Sequence, residues 1–166
     1  MNQRHPNTKA VVSEGRIAFI QSCWHKDIVD QCRLAFVEEI VRLGCPEDRI
    51  DVYEVPGVFE IPLQAKLLAA SRRYAAIVAT GLVVNGGIYR HEFVSDAVIS
   101  GLMQVQLATE VPVISAVLTP QAFHEHEEHR RFFREHFLVK GREAASACWR
   151  TLANLDRVRR LQDAAD

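Results

Sequence analysis

The sequence predicts an α/β protein, a three-layer sandwich built on a four-stranded parallel sheet. Short apolar runs with β-branched centres alternate four times with segments whose apolar residues recur at three- and four-residue steps. That alternation implies parallel strands joined by right-handed crossovers. One run, residues 75–84 (AAIVATGLVV), is almost continuously apolar, the pattern of a strand covered on both faces. A length of 166 residues suits one domain, expected over residues 15–161, with an N-terminal arm over 1–14 and a tail over 162–166.

The elements follow in order. Residues 16–22 (RIAFIQS) read as a buried strand. Residues 26–43 form an amphipathic helix with Ile28, Cys32, Ala35, Phe36, Ile40 and Leu43 on its inner side, and Gly44 follows where a left-handed cap is common. Residues 49–55 are the second strand, closed by Pro56 and Gly57. Residues 59–70 are a helix that tolerates Pro62 in its first turn. The third strand is broken by Asn85, Gly86 and Gly87, and a helix over 91–108 carries Val94, Val98, Leu102 and Val105 on one stripe. Residues 112–118 (PVISAVL) are the fourth strand. The polar stretch 121–136 is expected to be helical, and a separate last helix is expected from Gly141 to about residue 161, with Ala145, Cys148, Leu152 and Leu155 on one face. Ala10, Val11 and Val12 in the arm are expected to add a strand to the sheet of a neighbouring subunit.

Composition excludes several classes. Lys and Arg total 20 against 21 Asp and Glu, so no basic surface is available for nucleic acid or an anionic membrane. No apolar run approaches the roughly 18–20 residues of a membrane span. Residues 1–15 are polar, without the apolar centre of a signal peptide, so a cytoplasmic location is expected. The cysteines Cys23, Cys32, Cys45 and Cys148 form no CxxC pair and read as reduced thiols. Seven histidines are the odd feature, and four of them lie between His124 and His136. His124, His126 and His129 do not share one helix face, so no metal is expected; one cationic side chain lining a phosphate pocket fits them better.

Ligands of parallel α/β sheets bind beyond the carboxyl ends of the strands. Trp24 follows the first strand and offers either core packing or a flat face for a planar heterocycle. Gly57 allows close backbone approach to a ligand, and Glu60 can accept hydrogen bonds from ligand hydroxyls or serve as a helix-start charge. Asn85, Gly86 and Gly87 precede a helix N-terminus, which favours an anion. They match neither GxxxxGK[ST] nor GxGxxG, which excludes the triphosphate and dinucleotide loops. Arg90 can hold phosphate oxygens and His91 can exchange protons.

At these residues the chain resembles the 6,7-dimethyl-8-ribityllumazine synthases over residues 15 to about 153. The sequence VPGVFEIP at residues 55–62 is like the family's VPGAFEIP, and residues 81–94 parallel its GAVIRGxTxHFDYV. Val111, Pro112 and Val113, and Lys140, Gly141, Glu143, Ala144 and Ala145, add support. The resemblance implies a flavodoxin-like sheet. It also implies condensation of 5-amino-6-(D-ribitylamino)uracil with 3,4-dihydroxy-2-butanone 4-phosphate, with no metal or organic cofactor. By the same resemblance Trp24 stacks on the pyrimidine, and Val58, Phe59 and Glu60 hold the ribityl chain. Leu82, Val83 and Val84 read the pyrimidine edge, Gly87 and Ile88 bind the phosphate through backbone amides, and Ser115 contacts the pyrimidine across a subunit boundary.

Three departures stand out. The family's catalytic histidine falls on Arg90, with His91 at the neighbouring aromatic position. The arginine before the first glycine is Asn85. The segment before Lys140 is longer and lacks the family's Ala-Gly-Asn, so the phosphate-binding arginine falls near His129, with Arg130 and Arg131 beside it. These features look like the second, divergent type of the family found in some proteobacteria, which implies a pentamer or a decamer of two pentamers. Arg90 is then expected to be the catalytic residue, neutralising the departing phosphate, with His91 as a fallback proton carrier. The alternative expectation is a low-activity paralogue that binds a lumazine or flavin.

Overall fold

The structure, a computed structural model, describes residues 15–88 and 90–164. The N-terminal arm and its strand addition lie outside the described residues. Four strands, β1 (Arg16–Ser22), β2 (Ile50–Val55), β3 (Tyr74–Leu82) and β4 (Val113–Leu118), form one sheet in the order β2-β1-β3-β4. All three pairings are parallel, and Phe19 of β1 lies between Val52 of β2 and Val78 of β3. Four helices, α1 (Lys26–Leu43), α2 (Ile61–Ala70), α3 (His91–Thr109) and α4 (Glu127–Asp163), connect or follow the strands.

The two-residue period of the strands sorts their side chains into two cores. Ile17, Phe19, Ala76, Val78 and Ala116 face one side, where α1 and α4 contribute Phe36, Ile40, Phe137 and Cys148. Ala18, Ile20, Ile77, Ala79 and Val117 face the other, against Ile61 and Ala65 of α2 and Val98 and Leu102 of α3. The result is the expected three-layer α/β/α sandwich with a four-stranded parallel sheet. Cys32, Cys45 and Cys148 are buried free thiols; burial pushes Cys32 up to about 11 and Cys148 up to about 12, so neither forms a thiolate near neutrality.

One element differs from expectation. The sequence predicts two helices over 121–136 and 141–161; the structure has a single helix of 37 residues, α4, which starts at Glu127, so residues 121–126 of the expected helix are irregular. Gly141 lies inside it and is a contact point with α1. A Cβ there would sit 2.3 Å from the Cys32 carbonyl oxygen and 2.9 Å from the Phe36 nitrogen. The glycine lets the two helices cross backbone to backbone.

Candidate active site

The direction of strand addition reverses between β1 and β3, so their outgoing connections part and leave a crevice at the carboxyl ends. A cleft of about 260 Å³ opens there. The turn after β1 supplies Trp24, and the turn after β2 supplies Gly57 and Val58. Leu82 of β3, with Val83 and Val84 beyond it, forms a wall, and Gly86, His91 and Val94 close the far side.

Trp24 is 67% exposed, so its indole is not a core group. Its position follows from the backbone on both sides. The Cys23 N–H donates to the Val55 carbonyl at 3.0 Å, which extends the β1–β2 pairing by one residue. His25 then takes a left-handed conformation, φ 50°, and its carbonyl accepts from Ile28 and Val29 to start α1. The His25 ring lies 4.9 Å from that of buried Phe123, which fixes the turn from below. On the facing turn the Gly57 N–H donates to Glu60 Oε2 at 2.8 Å. Glu60 thus closes the short 3₁₀ turn that leads into α2, and Phe59 is 64% exposed outside the cleft.

The glycine loop is held at one end. Asn85 Oδ1 accepts from the Phe123 N–H at 3.1 Å, tying the loop to the lead-in of α4. Gly87 is exposed with φ 73°, a left-handed value suited to glycine, and Ile88 is 84% exposed. Arg90 is the residue before α3, with φ −79° and ψ 88°, outside the helical region. Its guanidinium lies over the ring of Phe93, 4.5 Å from the centroid. His91 begins the helix, lines the cleft, and has Nδ1 3.5 Å from Glu92 Oε2. Helical spacing alone would swing His91 away from the site of Arg90. Because Arg90 is not helical, that spacing does not apply between them, and His91 is the one that faces the cleft.

The histidine-rich segment lies apart. His129 Nδ1 accepts from the His124 N–H at 2.9 Å, and the two rings stack at 5.4 Å. With His126, Glu128 and Phe132 they line a second groove of about 500 Å³. No group of three or more His, Cys, Asp or Glu among the described residues is arranged to hold a metal. Arg130 is committed elsewhere: it donates to both carboxylate oxygens of Asp27 at 2.8 Å and to Glu125 at 2.9 Å. Arg134 pairs with Asp27 and Glu127. Ser115 is exposed on β4, in register with Ala79, away from the cleft.

Partial burial alone would push the Asp27 carboxyl up, but the hydrogen bonds and charges of Arg130 and Arg134 together hold it below its ordinary range. A carboxyl depressed on folding stabilises the fold above its unfolded pKa and loses that contribution as pH falls through the folded value. Asp27→Asn should therefore cost up to about 1 kcal/mol at pH 7, given this exposure. The difference from the parent protein should vanish in acid, well below pH 4. Urea titrations at pH 7 and pH 3 measure it; a cost that persists at pH 3 contradicts the ionic origin.

The cleft therefore brings together Trp24, Val58, Leu82, Val83 and Val84 of the expected site residues, with Gly57, Gly86, His91 and Val94. Phe59, Glu60, Gly87, Ile88 and Arg90 lie outside its lining, on the same turns; Ser115 and His129 belong to other surfaces.

An apolar, tryptophan-rimmed cleft at the switch point of a parallel α/β sheet is the place where proteins of this architecture bind small ligands. The family model for 6,7-dimethyl-8-ribityllumazine synthase matches residues 14–156, and the chain belongs to that family, enzymes of riboflavin biosynthesis. It is 58% identical over 160 residues to 6,7-dimethyl-8-ribityllumazine synthase 2 of Pseudomonas syringae pv. tomato, covering 96% of this chain and 90% of that protein. It is 61% identical over 144 residues to 6,7-dimethyl-8-ribityllumazine synthase 2 of Bradyrhizobium diazoefficiens, covering 87% and 86%. With the 6,7-dimethyl-8-ribityllumazine synthase of Rhodococcus erythropolis it shares 61% over 140 residues, 84% of this chain and 90% of that one. Among the described residues, no helix is long and apolar enough to cross a membrane.

Proposed function

We propose that the chain condenses 5-amino-6-(D-ribitylamino)uracil with 3,4-dihydroxy-2-butanone 4-phosphate in this cleft, releasing phosphate and water. The observation that carries the placement is the open indole face of Trp24 beside an apolar wall made by residues 82–84. The pyrimidine stacks on Trp24, its edge meets the main chain of Leu82, Val83 and Val84, and the ribityl chain runs along Val58, Phe59 and Glu60. Gly87 and Ile88 offer backbone amides to the phosphate. The amine of the uracil adds to the ketone carbonyl and loses a first water to form an imine. Phosphate is then eliminated, the neighbouring hydroxyl carbon becomes a carbonyl, and the ribityl-bearing amine closes the ring on it with loss of a second water. Holding the two substrates in register supplies the larger part of the acceleration, up to about 7–11 kcal/mol in favourable intramolecular cases. Arg90 neutralises the departing phosphate, and His91, on the cleft wall, exchanges the protons.

The reading places the reaction in the cytoplasm, with no cofactor, and in a homo-oligomer, a pentamer or a decamer of two pentamers. Two features support assembly. Ile99, Met103 and Leu107 run as an exposed apolar stripe along α3, and Leu63 and Leu67 of α2 are also exposed. Monomers rarely leave apolar surface of this extent in water. Ser115 and His129, remote from the cleft of their own chain, then serve the cleft of a neighbour.

Mixing the two substrates and following the absorbance of the product tests the reaction; no product above the uncatalysed rate overturns it. Trp24→Ala should raise KM for the uracil about tenfold or more, since stacking of a base on an aromatic ring is worth about 1–3 kcal/mol. KM for the butanone phosphate should hold. A second reading, a low-turnover paralogue that binds a lumazine or flavin, is favoured by Arg90 lying outside the cleft lining and by Asn85 being tied to Phe123. Quenching of Trp24 fluorescence by riboflavin without synthase turnover selects it.

A further inference from the structure

We infer that Phe93 is a positioning residue, whose ring holds the Arg90 guanidinium in place while leaving its charge free for the anionic group of a ligand. The inference deepens the synthase reading and rests on it for the identity of that ligand. Arg90 caps the N-terminus of α3, where the partial positive charge of the helix disfavours a cation and favours an anion. An unrestrained arginine there would sample many rotamers, and ordering it on binding would weaken the complex. The ring of Phe93 removes that cost. The Phe93 N–H donates to the Arg90 carbonyl at 3.1 Å, which closes the first turn and sets the two side chains on one face. The guanidinium then lies 4.5 Å from the ring centroid.

The contrast with the other ordered arginines shows what a ring does that an acid does not. Arg130 and Arg134 are fixed by carboxylates of Asp27, Glu125 and Glu127, and their charge is spent on those partners. Among the described residues Arg90 pairs with no carboxylate. Glu92, the acid nearest in the helix, is directed to His91 instead. An aromatic face attracts a guanidinium without neutralising it. The role also accounts for Phe93 itself, a large ring left 63% exposed in the first turn of α3.

The test is a double-mutant cycle in the full-length protein, read by inhibition by inorganic phosphate and by KM for each substrate. Phe93→Leu should raise the phosphate inhibition constant, and KM for the butanone phosphate, about two- to fivefold, the range of an exposed cation–π pair. KM for the ribitylaminouracil should not move. Phe93→Tyr, which keeps the ring, should restore parental values. In an Arg90→Ala background Phe93→Leu should have no further effect. An undiminished effect in that background, equal loss for both substrates, or failure of tyrosine to rescue overturns the inference. The synthase reading fails separately. A parent protein that binds phosphate with this Phe93 dependence but makes no product retains the inference and loses the reaction.

Discussion

Gly141→Val should cost about 3 kcal/mol or more of stability, the upper range for forcing extra atoms into a packed interior. The cause is specific. A Cβ at 141 would stand 2.3 Å from the Cys32 carbonyl oxygen, 2.8 Å from Ala35 Cβ and 2.9 Å from the Phe36 nitrogen. Two of those atoms are backbone, so no rotamer change relieves the clash, and α1 and α4 must separate along the core that holds Phe36, Phe137 and Cys148. Gly141→Ala sharpens the test. In an exposed helix it would gain about 1 kcal/mol of helix propensity. Here it should lose stability, and a urea midpoint at or above that of the parent protein would contradict the close crossing.

Arg90→Ala should lower kcat/KM about 10- to 100-fold, the effect of losing hydrogen bonds to a charged group worth about 1.5–3 kcal/mol. The loss should appear with the butanone phosphate as the varied substrate, because the proposed role is to neutralise phosphate. Arg90→Lys should recover part of it, since a point charge replaces a fork of donors. Steady-state kinetics with each substrate varied in turn decides the matter, and an unchanged rate removes Arg90 from the reaction. His91→Asn then separates proton exchange from phosphate neutralisation, because His91 alone of the pair lines the cleft.

The strands were legible because burial on both faces leaves a continuous apolar signature, as in Ala76, Ile77, Val78 and Ala79. The same signature misplaced one boundary. Val83 and Val84 read as strand, yet β3 ends at Leu82. They wall the cleft on one side and pack on the two cores on the other, and an apolar run reports what is covered, not what covers it. The join between the last two expected helices was missed because the polar stretch 121–136 and the apolar-faced segment from Gly141 were read as separate elements. The counter-signal was present: Phe133, Phe137, Gly141, Ala145, Cys148 and Leu152 recur at three- and four-residue steps straight through the glycine and are all buried.

Of the cleft lining, Trp24 was flagged by its place after the first strand, whereas Val58 and residues 82–84 were given roles only by the family resemblance. The facing of His91 was not legible, since it depends on Arg90 leaving the helical region, which no spacing rule reports. Nor was the use of Glu60 Oε2 on the Gly57 amide, a local bond that a carboxylate three residues after a glycine makes possible.

The unbroken α4 also sets how precisely the histidine-bearing surface is aimed. A helix of 37 residues is about 55 Å long, against strands that reach at most about 30 Å. It behaves as a stiff rod seated on the sheet, with its bearing at Gly141 and His129 some three turns away on one arm. The rod is also tied at that arm, because Arg130 and Arg134, in the turns beside His129, pair with Asp27 at the start of α1. Helix α1 therefore grips α4 at two places, the glycine crossing and the histidine-bearing end, and any shift of α1 carries that surface with it.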